Sequence, residues 1–329
     1  MKRPIALLAL SLLAFGIGGA ATPAHALDHV RVVIPRDSVF VLSWDGARDA
    51  GVFKKHGIDV EVDARPFAGF LAGLPSKECM VSTYSGIDAI KKINEGLDWA
   101  IIGGGLTVVN PIMVQKDSPF KKVSDLRGKT FGTFSTGAGS YQSTRAAVLQ
   151  DEGFDIGKDT KLEQMAAPAL FKFLENGSVD AALNISSFSI AAESQPQKFR
   201  VIFDINEYWR KKTGYPVVWA APLVAWRSWV EQDPDRAKRF AAATMESFRW
   251  LANPKNLDAT VKKYGELAGV TKPAEVATYK KLLAENLMFL TTWDLVCGWT
   301  GAGPERVGPR LALQLIHEAA LCRTGLRHR

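Results

Sequence analysis

The chain has 329 residues, 47% hydrophobic and 23% charged, with a formal charge of +7 at pH 7. Low-complexity disorder, collagen and multi-span membrane proteins are excluded by that composition, and the length accommodates two lobes of common size. The charge sits at the ends, on Lys2 and Arg3 and on the five arginines from Arg306 to Arg329, so the body is close to neutral and carries no nucleic-acid footprint.

Lys2 and Arg3 precede an apolar run over 5–20, and Ala24-His25-Ala26 follows as a small-x-small site. This pattern predicts a secretory signal cleaved after Ala26 and a periplasmic mature chain starting at Leu27. The apolar run is short for a bilayer span of about 20 residues. No cysteine lies near the cleavage site to carry a lipid anchor. Cys79, Cys297 and Cys322 form no Cys-x-x-Cys pair, and three cysteines leave at least one unpaired. Core packing rather than disulfides is expected to stabilise the fold.

The β-branched run 30–34, closed by Pro35, predicts a strand. A helical pattern over 39–55 stops at Gly57, and Ile58-Asp59-Val60-Glu61-Val62 alternates as a half-buried strand does. A short helix from Gly69, a strand at 79–81, a helix at 85–95, a strand at 99–102 and an apolar segment at 111–115 follow. Asp117-Ser118-Pro119 interrupts this series, and 124–129 reads as a capped helical turn.

A second series starts with a strand at 130–134, after which 135–140 opens a helix running to 152. Strands at 162–165, 180–185 and 199–205 alternate with helices at 168–176 and 187–195. A second apolar crossing segment covers 217–226. Asp233-Pro234, Asn253-Pro254 and Lys272-Pro273 each start a helix, because proline fits the first helical turn. Two βα series joined by two crossing segments predict two α/β lobes. Residues 1–26 are the signal, 27–116 begin lobe 1, 117–216 form lobe 2 and 217–297 return to lobe 1, mostly as helix. Residues 298–329 form a basic tail.

Enzyme chemistry finds little support. The histidines are His25, His29, His56, His317 and His328, with no His-x-x-x-His pair and no Cys/His cluster. No metal and no cofactor is therefore expected. No G-x-S-x-G elbow and no phosphate-binding G-x-x-x-x-G-K-[ST] loop occurs. The loops after the strands are more informative, since open α/β lobes bind ligands at the carboxyl ends of their strands. Those loops are Arg36-Asp37-Ser38, Phe67-Ala68-Gly69, Ser82-Thr83-Tyr84-Ser85, Gly103-Gly104-Gly105 and Ser135-Thr136-Gly137-Ala138-Gly139-Ser140. Most are small or hydroxylated, and several open a helix, whose free N–H groups and positive end suit an anion.

Three segments carry a family resemblance: 50–60 (AGVFKKHGIDV), 125–129 (DLRGK) ahead of the glycine loop, and 174–182 (LENGSVDAA). In this order and at these spacings, residues 27 to about 293 resemble a periplasmic substrate-binding protein of an ABC importer. The group is the one that binds nitrate, sulfonates, taurine and thiamine pyrimidines. The resemblance implies a two-lobed type II periplasmic binding protein fold, with two crossing strands at the hinge. It also implies a monomer that closes on a small anionic ligand and is recognised by the importer's membrane subunits. An exported lyase or pyrimidine-synthase-like enzyme on the same fold, or a ligand-presenting sensor, is the alternative. The synthases carry a cysteine-rich motif that this chain lacks.

The ligand-binding candidates follow from the loops. Ser135, Thr136 and Ser140, with the amides of Gly137 and Gly139, are expected to hold the anionic end. Ser38, Tyr84 and Ser85 face them from the first lobe. Asn184, Ser186 and Ser187 follow a second-lobe strand. Trp219 flanks the ligand on the return crossing, and Arg36 pairs with a sulfonate or carboxylate. Trp44, inside a helical pattern, is assigned to the core.

Overall fold

The computed structural model describes residues 26–214, 218–285 and 288–289. The expected signal segment, the start of the second crossing and the glycine- and arginine-rich tail lie outside the described residues.

The chain opens with β1 (Asp28–Pro35), α1 (Val39–Asp49), α2 (Val52–Lys55) and β2 (Ile58–Arg65). The helical pattern expected over 39–55 splits in two, because Gly51 takes a left-handed backbone at φ 78° that ends α1. α3 (Phe67–Gly73), β3 (Val81–Thr83), α4 (Gly86–Asn94) and β4 (Trp99–Thr107) follow. The second series holds β5 (Ile112–Gln115), a 3-10 turn (Val123–Leu126), β6 (Thr130–Thr133), α5 (Gly139–Glu152), α6 (Ile156–Asp159) and β7 (Lys161–Gln164). It continues with α7 (Ala167–Glu175), β8 (Ala181–Leu183), α8 (Ser186–Glu193), β9 (Phe199–Phe203) and α9 (Ile205–Thr213). Helix α9 stands where a strand was expected to run on to 205. Asp204 ends the strand by accepting the Asn206 and Glu207 N–H groups at 2.8 and 3.4 Å, an N-cap. β10 (Trp219–Trp226), α10 (Arg227–Gln232), α11 (Pro234–Leu251), α12 (Pro254–Ala268) and α13 (Pro273–Ala284) complete the described chain.

The second sheet has strand order β7-β6-β8-β5-β9. In the first lobe β10 lies between β3 and β4, antiparallel to both, and β1 pairs with β2 in parallel. The Ser82 hydroxyl donates to the Val33 carbonyl, which lays β1 beside β3. The order β2-β1-β3-β10-β4 thereby repeats that of the second lobe. In each lobe the fourth strand is antiparallel and arrives from the other lobe: β5 runs outward and β10 returns. β5 precedes residue 117 but pairs with β8 and β9, so it belongs to the second sheet.

β4 corrects one expectation. Gly103-Gly104-Gly105 is not a loop but the middle of this strand. β10 passes there with shifts in register. A side chain at 105 would run into the Ala221 carbonyl. The glycines serve strand packing.

Two main cores result. One packs β1, β2, α1 and the C-terminal helices around Trp44, Phe53 and Phe240. Trp44 is fully buried, with its ring 5.8 Å from each of those phenylalanines. The other gathers Phe131, Phe154, Leu170 and Phe199 around the second sheet. Among the described residues, no helix is long and apolar enough to cross a membrane.

Candidate functional site

A cavity of about 50 Å³, room for more than one water-sized group, lies between the lobes. Its walls combine Phe40, Phe67, Phe70, Phe134 and Leu106 with Ser38, Ser85, Ser140, Ser186 and Asn110. Among the described residues, no lysine, arginine, aspartate or glutamate lines it.

Four helices begin at this cavity. Ser38 is the N-cap of α1 and Ser85 of α4, while α5 starts at Gly139 and α8 at Ser186. Two come from each lobe. First-turn N–H groups have no partner within their own helix, so the four ends present donors and a positive dipole without a formal charge. Gly139 permits a close approach. A Cβ there would lie 2.6 Å from the Ala220 carbonyl and 3.1 Å from the Ser85 hydroxyl.

Five of the expected residues meet at the cavity: Ser38, Ser85, Gly139, Ser140 and Ser186. The Ser38 hydroxyl donates to the Pro35 carbonyl at 2.8 Å, and the Ser85 hydroxyl accepts the Asp88 N–H at 3.3 Å. Ser186 is 1% exposed, and its hydroxyl has no hydrogen-bond partner among the described residues.

The other expected residues stand outside the cavity lining. The Ser135 hydroxyl accepts the Gly137 N–H at 3.2 Å, and the Thr136 N–H and hydroxyl both reach Gln164. Gly137 packs against Leu71 of the opposite lobe. Tyr84 is 3% exposed and stacks edge-on against Trp99, a core position. The Asn184 side chain turns back, donating to the Ala167 carbonyl and accepting the Ile185 N–H. Ser187 donates to the Asp37 carbonyl and so ties the two lobes together. Arg36 is half exposed and pairs with its neighbour Asp37 at 3.5 Å. Trp219 is buried at the start of β10, while Ala220 and Ala221 reach the cavity.

The phenylalanines, Leu106 and Asn110 are among the lining residues that sequence reading passed over. Phe67 stood in a recognised loop, but apolar residues carry no motif that separates a cavity wall from a core. Asn110, in the first crossing, donates to the Asn184 carbonyl at 2.6 Å. Burial raises the Asp37 carboxyl above its usual range, against the pull of Arg36. Among the described residues, no group of three His, Cys, Asp or Glu side chains is placed to hold a metal ion.

No curated protein matches the chain. Among solved structures, the alkanesulfonate-binding protein SsuA of Xanthomonas axonopodis pv. citri, bound to MOPS, superposes with a TM-score of 0.63 at 14% identity, over 88% of this chain and 96% of that one. The periplasmic aliphatic sulphonate binding protein SsuA of Escherichia coli gives 0.60 at 17% identity, over 77% and 78%. The periplasmic nitrate-binding protein NrtA of Synechocystis PCC 6803 gives 0.57 at 15% identity, over 76% and 69%. At these identities the likeness is one of fold, the two-lobed type II periplasmic binding architecture. The sequence profile described as "NMT1/THI5 like" matches residues 46–256, well over half of the chain, and the protein therefore belongs to the NMT1/THI5-like family.

Proposed function

We propose that the protein binds a small organic anion between its lobes, in the periplasm, and delivers it as a monomer to the membrane subunits of an ABC importer. The carrying observation is the convergence of four helix N-termini on a cavity walled by phenylalanines, with no charged side chain among its described lining residues. Helix ends stabilise an anion by about 0.3–1 kcal/mol each, and dry surroundings strengthen their effect. The phenylalanines suit an apolar body, such as the short chain of an alkanesulfonate. The solved relatives named for sulfonates and nitrate support an oxyanion head group.

In this reading the lobes divide near the two crossings, with β5 and β10 as hinge strands. Ser38, Ser85, Ser140, Ser186 and the amides at Gly139 contact the ligand. Ser135, Thr136 and Gly137 shape the loop behind it. Ligand leaves unchanged in this reading, since the described cavity lining offers hydroxyls but no histidine or carboxylate to activate them.

The test is calorimetric titration of the mature protein with ethanesulfonate, MOPS, taurine, nitrate and a hydroxymethylpyrimidine, paired with native mass spectrometry of freshly purified protein. Saturable binding of an organic anion that is recovered intact supports the reading. Turnover of any ligand beyond stoichiometric amounts overturns it in favour of an enzyme on this fold.

A further inference from the structure

The wall of the cavity at Ser186 has a second layer. Behind it lies α13, a helix outside both βα series, which packs against α8. Tyr279 of α13 is fully buried, and its hydroxyl interacts with Ser186. Neither hydroxyl closes a hydrogen bond of normal geometry, with the other or with any further partner among the described residues. Burying a hydroxyl unpaired is costly, and a phenylalanine at 279 would fill nearly the same space without that cost. Both costs fall at one point, on the cavity wall.

The chemistry of two hydroxyls gives them a joint use. Each has one proton to donate and two lone pairs to accept with. If the Tyr279 hydroxyl donates to Ser186 Oγ, the serine proton is left to point into the cavity, and the chain Tyr279–Ser186 is polarised toward an acceptor there. Ser186 also begins α8, whose first-turn N–H groups aim at the same place.

We infer that Tyr279 is a positioning residue of the binding site: it holds the Ser186 hydroxyl as a donor toward the ligand, so that α13 forms the outer layer of the site. This rests on the organic-anion reading given above. α8 is suited to the role. From Ser186 at the cavity, it presents Ser187 to Asp37 and Ile190 to the core of the opposite lobe. A ligand that engages Ser186 therefore bears directly on the helix that joins the lobes.

The experiment compares Tyr279→Phe, Ser186→Ala and the double variant in the full-length mature chain. Ethanesulfonate affinity is measured by calorimetry, and melting temperature is measured without ligand. Tyr279→Phe is expected to weaken binding about three- to tenfold in the wild-type background. It should have no further effect once Ser186 is alanine, because it acts through that hydroxyl. Without ligand, its melting temperature should be unchanged or higher, since an unpaired buried hydroxyl is removed. An equal loss of affinity in both backgrounds, or no loss in either, overturns the inference. If ethanesulfonate fails to bind the wild-type protein, the organic-anion reading suffers and the melting temperatures decide alone. An unchanged or raised value supports the facing, unpaired hydroxyls, and a clear drop overturns them by showing that Tyr279 is bonded within the fold.

Discussion

Phe67 of the first lobe and Phe134 of the second meet edge to face across the cleft, with ring centroids 4.9 Å apart and planes at 82°. Both rings also line the cavity. The same contact therefore bridges the lobes and walls the site. Phe67 starts α3 directly after β2, and Phe134 follows β6, so each ring sits at the carboxyl end of a parallel strand. An edge-to-face pair contributes about 0.5–1.5 kcal/mol beyond its buried area. Phe67→Ala is expected to favour separated lobes, seen as a larger radius of gyration in small-angle scattering, and to weaken organic-anion binding about three- to tenfold. Identical scattering curves for the variant and the wild type would remove the rings from closure.

Gly139 offers a sharper test of the cavity. Its hydrogen faces the Ala220 carbonyl and the Ser85 hydroxyl, leaving no room for a side chain. Gly139→Val should abolish ligand binding by pushing the α5 terminus away from β10 and α4. Circular dichroism should still report the wild-type secondary structure. Retained affinity in a folded variant would show that the α5 terminus is no part of the site.

Stability should depend on pH through Glu193. Burial pushes its carboxyl up to about 7, helped by Asp204 and opposed by Lys281. The folded protein thus holds this proton up to about pH 7, whereas an unfolded glutamate releases it near 4.5. The contribution is fully present below the unfolded value and is lost as pH rises through about 7. Asp45, pushed up to about 6 by burial despite its ion pair with Arg48, acts in the same direction at lower pH. Glu193→Gln should raise the melting temperature at pH 8 by roughly 2–4 °C and shrink the difference between pH 5 and pH 8. A variant with the same pH profile as the wild type would refute this assignment.

Export also has a direct check. β1 starts at Asp28, whose N–H donates to the Gly57 carbonyl at 2.9 Å. Cleavage after Ala26 therefore spares every described strand. N-terminal sequencing of the protein from a periplasmic extract should read Leu27-Asp28-His29. Retention of the first 26 residues would contradict the signal assignment.

Much of the architecture was legible because it is written in local physics. Alternation at 58–62 reports a strand, and Asp233-Pro234 and Asn253-Pro254 report helix starts. Their side chains do cap, with Asp233 accepting the Arg236 N–H at 2.9 Å and Asn253 the Lys255 N–H at 3.0 Å. Small and hydroxylated loops after strands marked four helix termini correctly, since capping and close approach need only neighbours in the chain. Ser38, Ser85, Gly139, Ser140 and Ser186, which border the cavity, stand at those termini.

Tertiary structure alone decided what those neighbours face. Gly103-Gly104-Gly105 looked like a loop until β10, more than a hundred residues away, passed beside it and required glycine. Tyr84 and Asn184 sat in the right loops but turned inward, one to Trp99 and the other to the Ala167 carbonyl. Phe40, Phe70 and Phe134 carried only the mark of hydrophobicity, and closure of one lobe on the other made cavity walls of them. Only the packing of α13 on α8 brings the Tyr279 hydroxyl to Ser186. Backbone period and capping are settled within a few residues, whereas the direction a side chain faces depends on which distant element covers it.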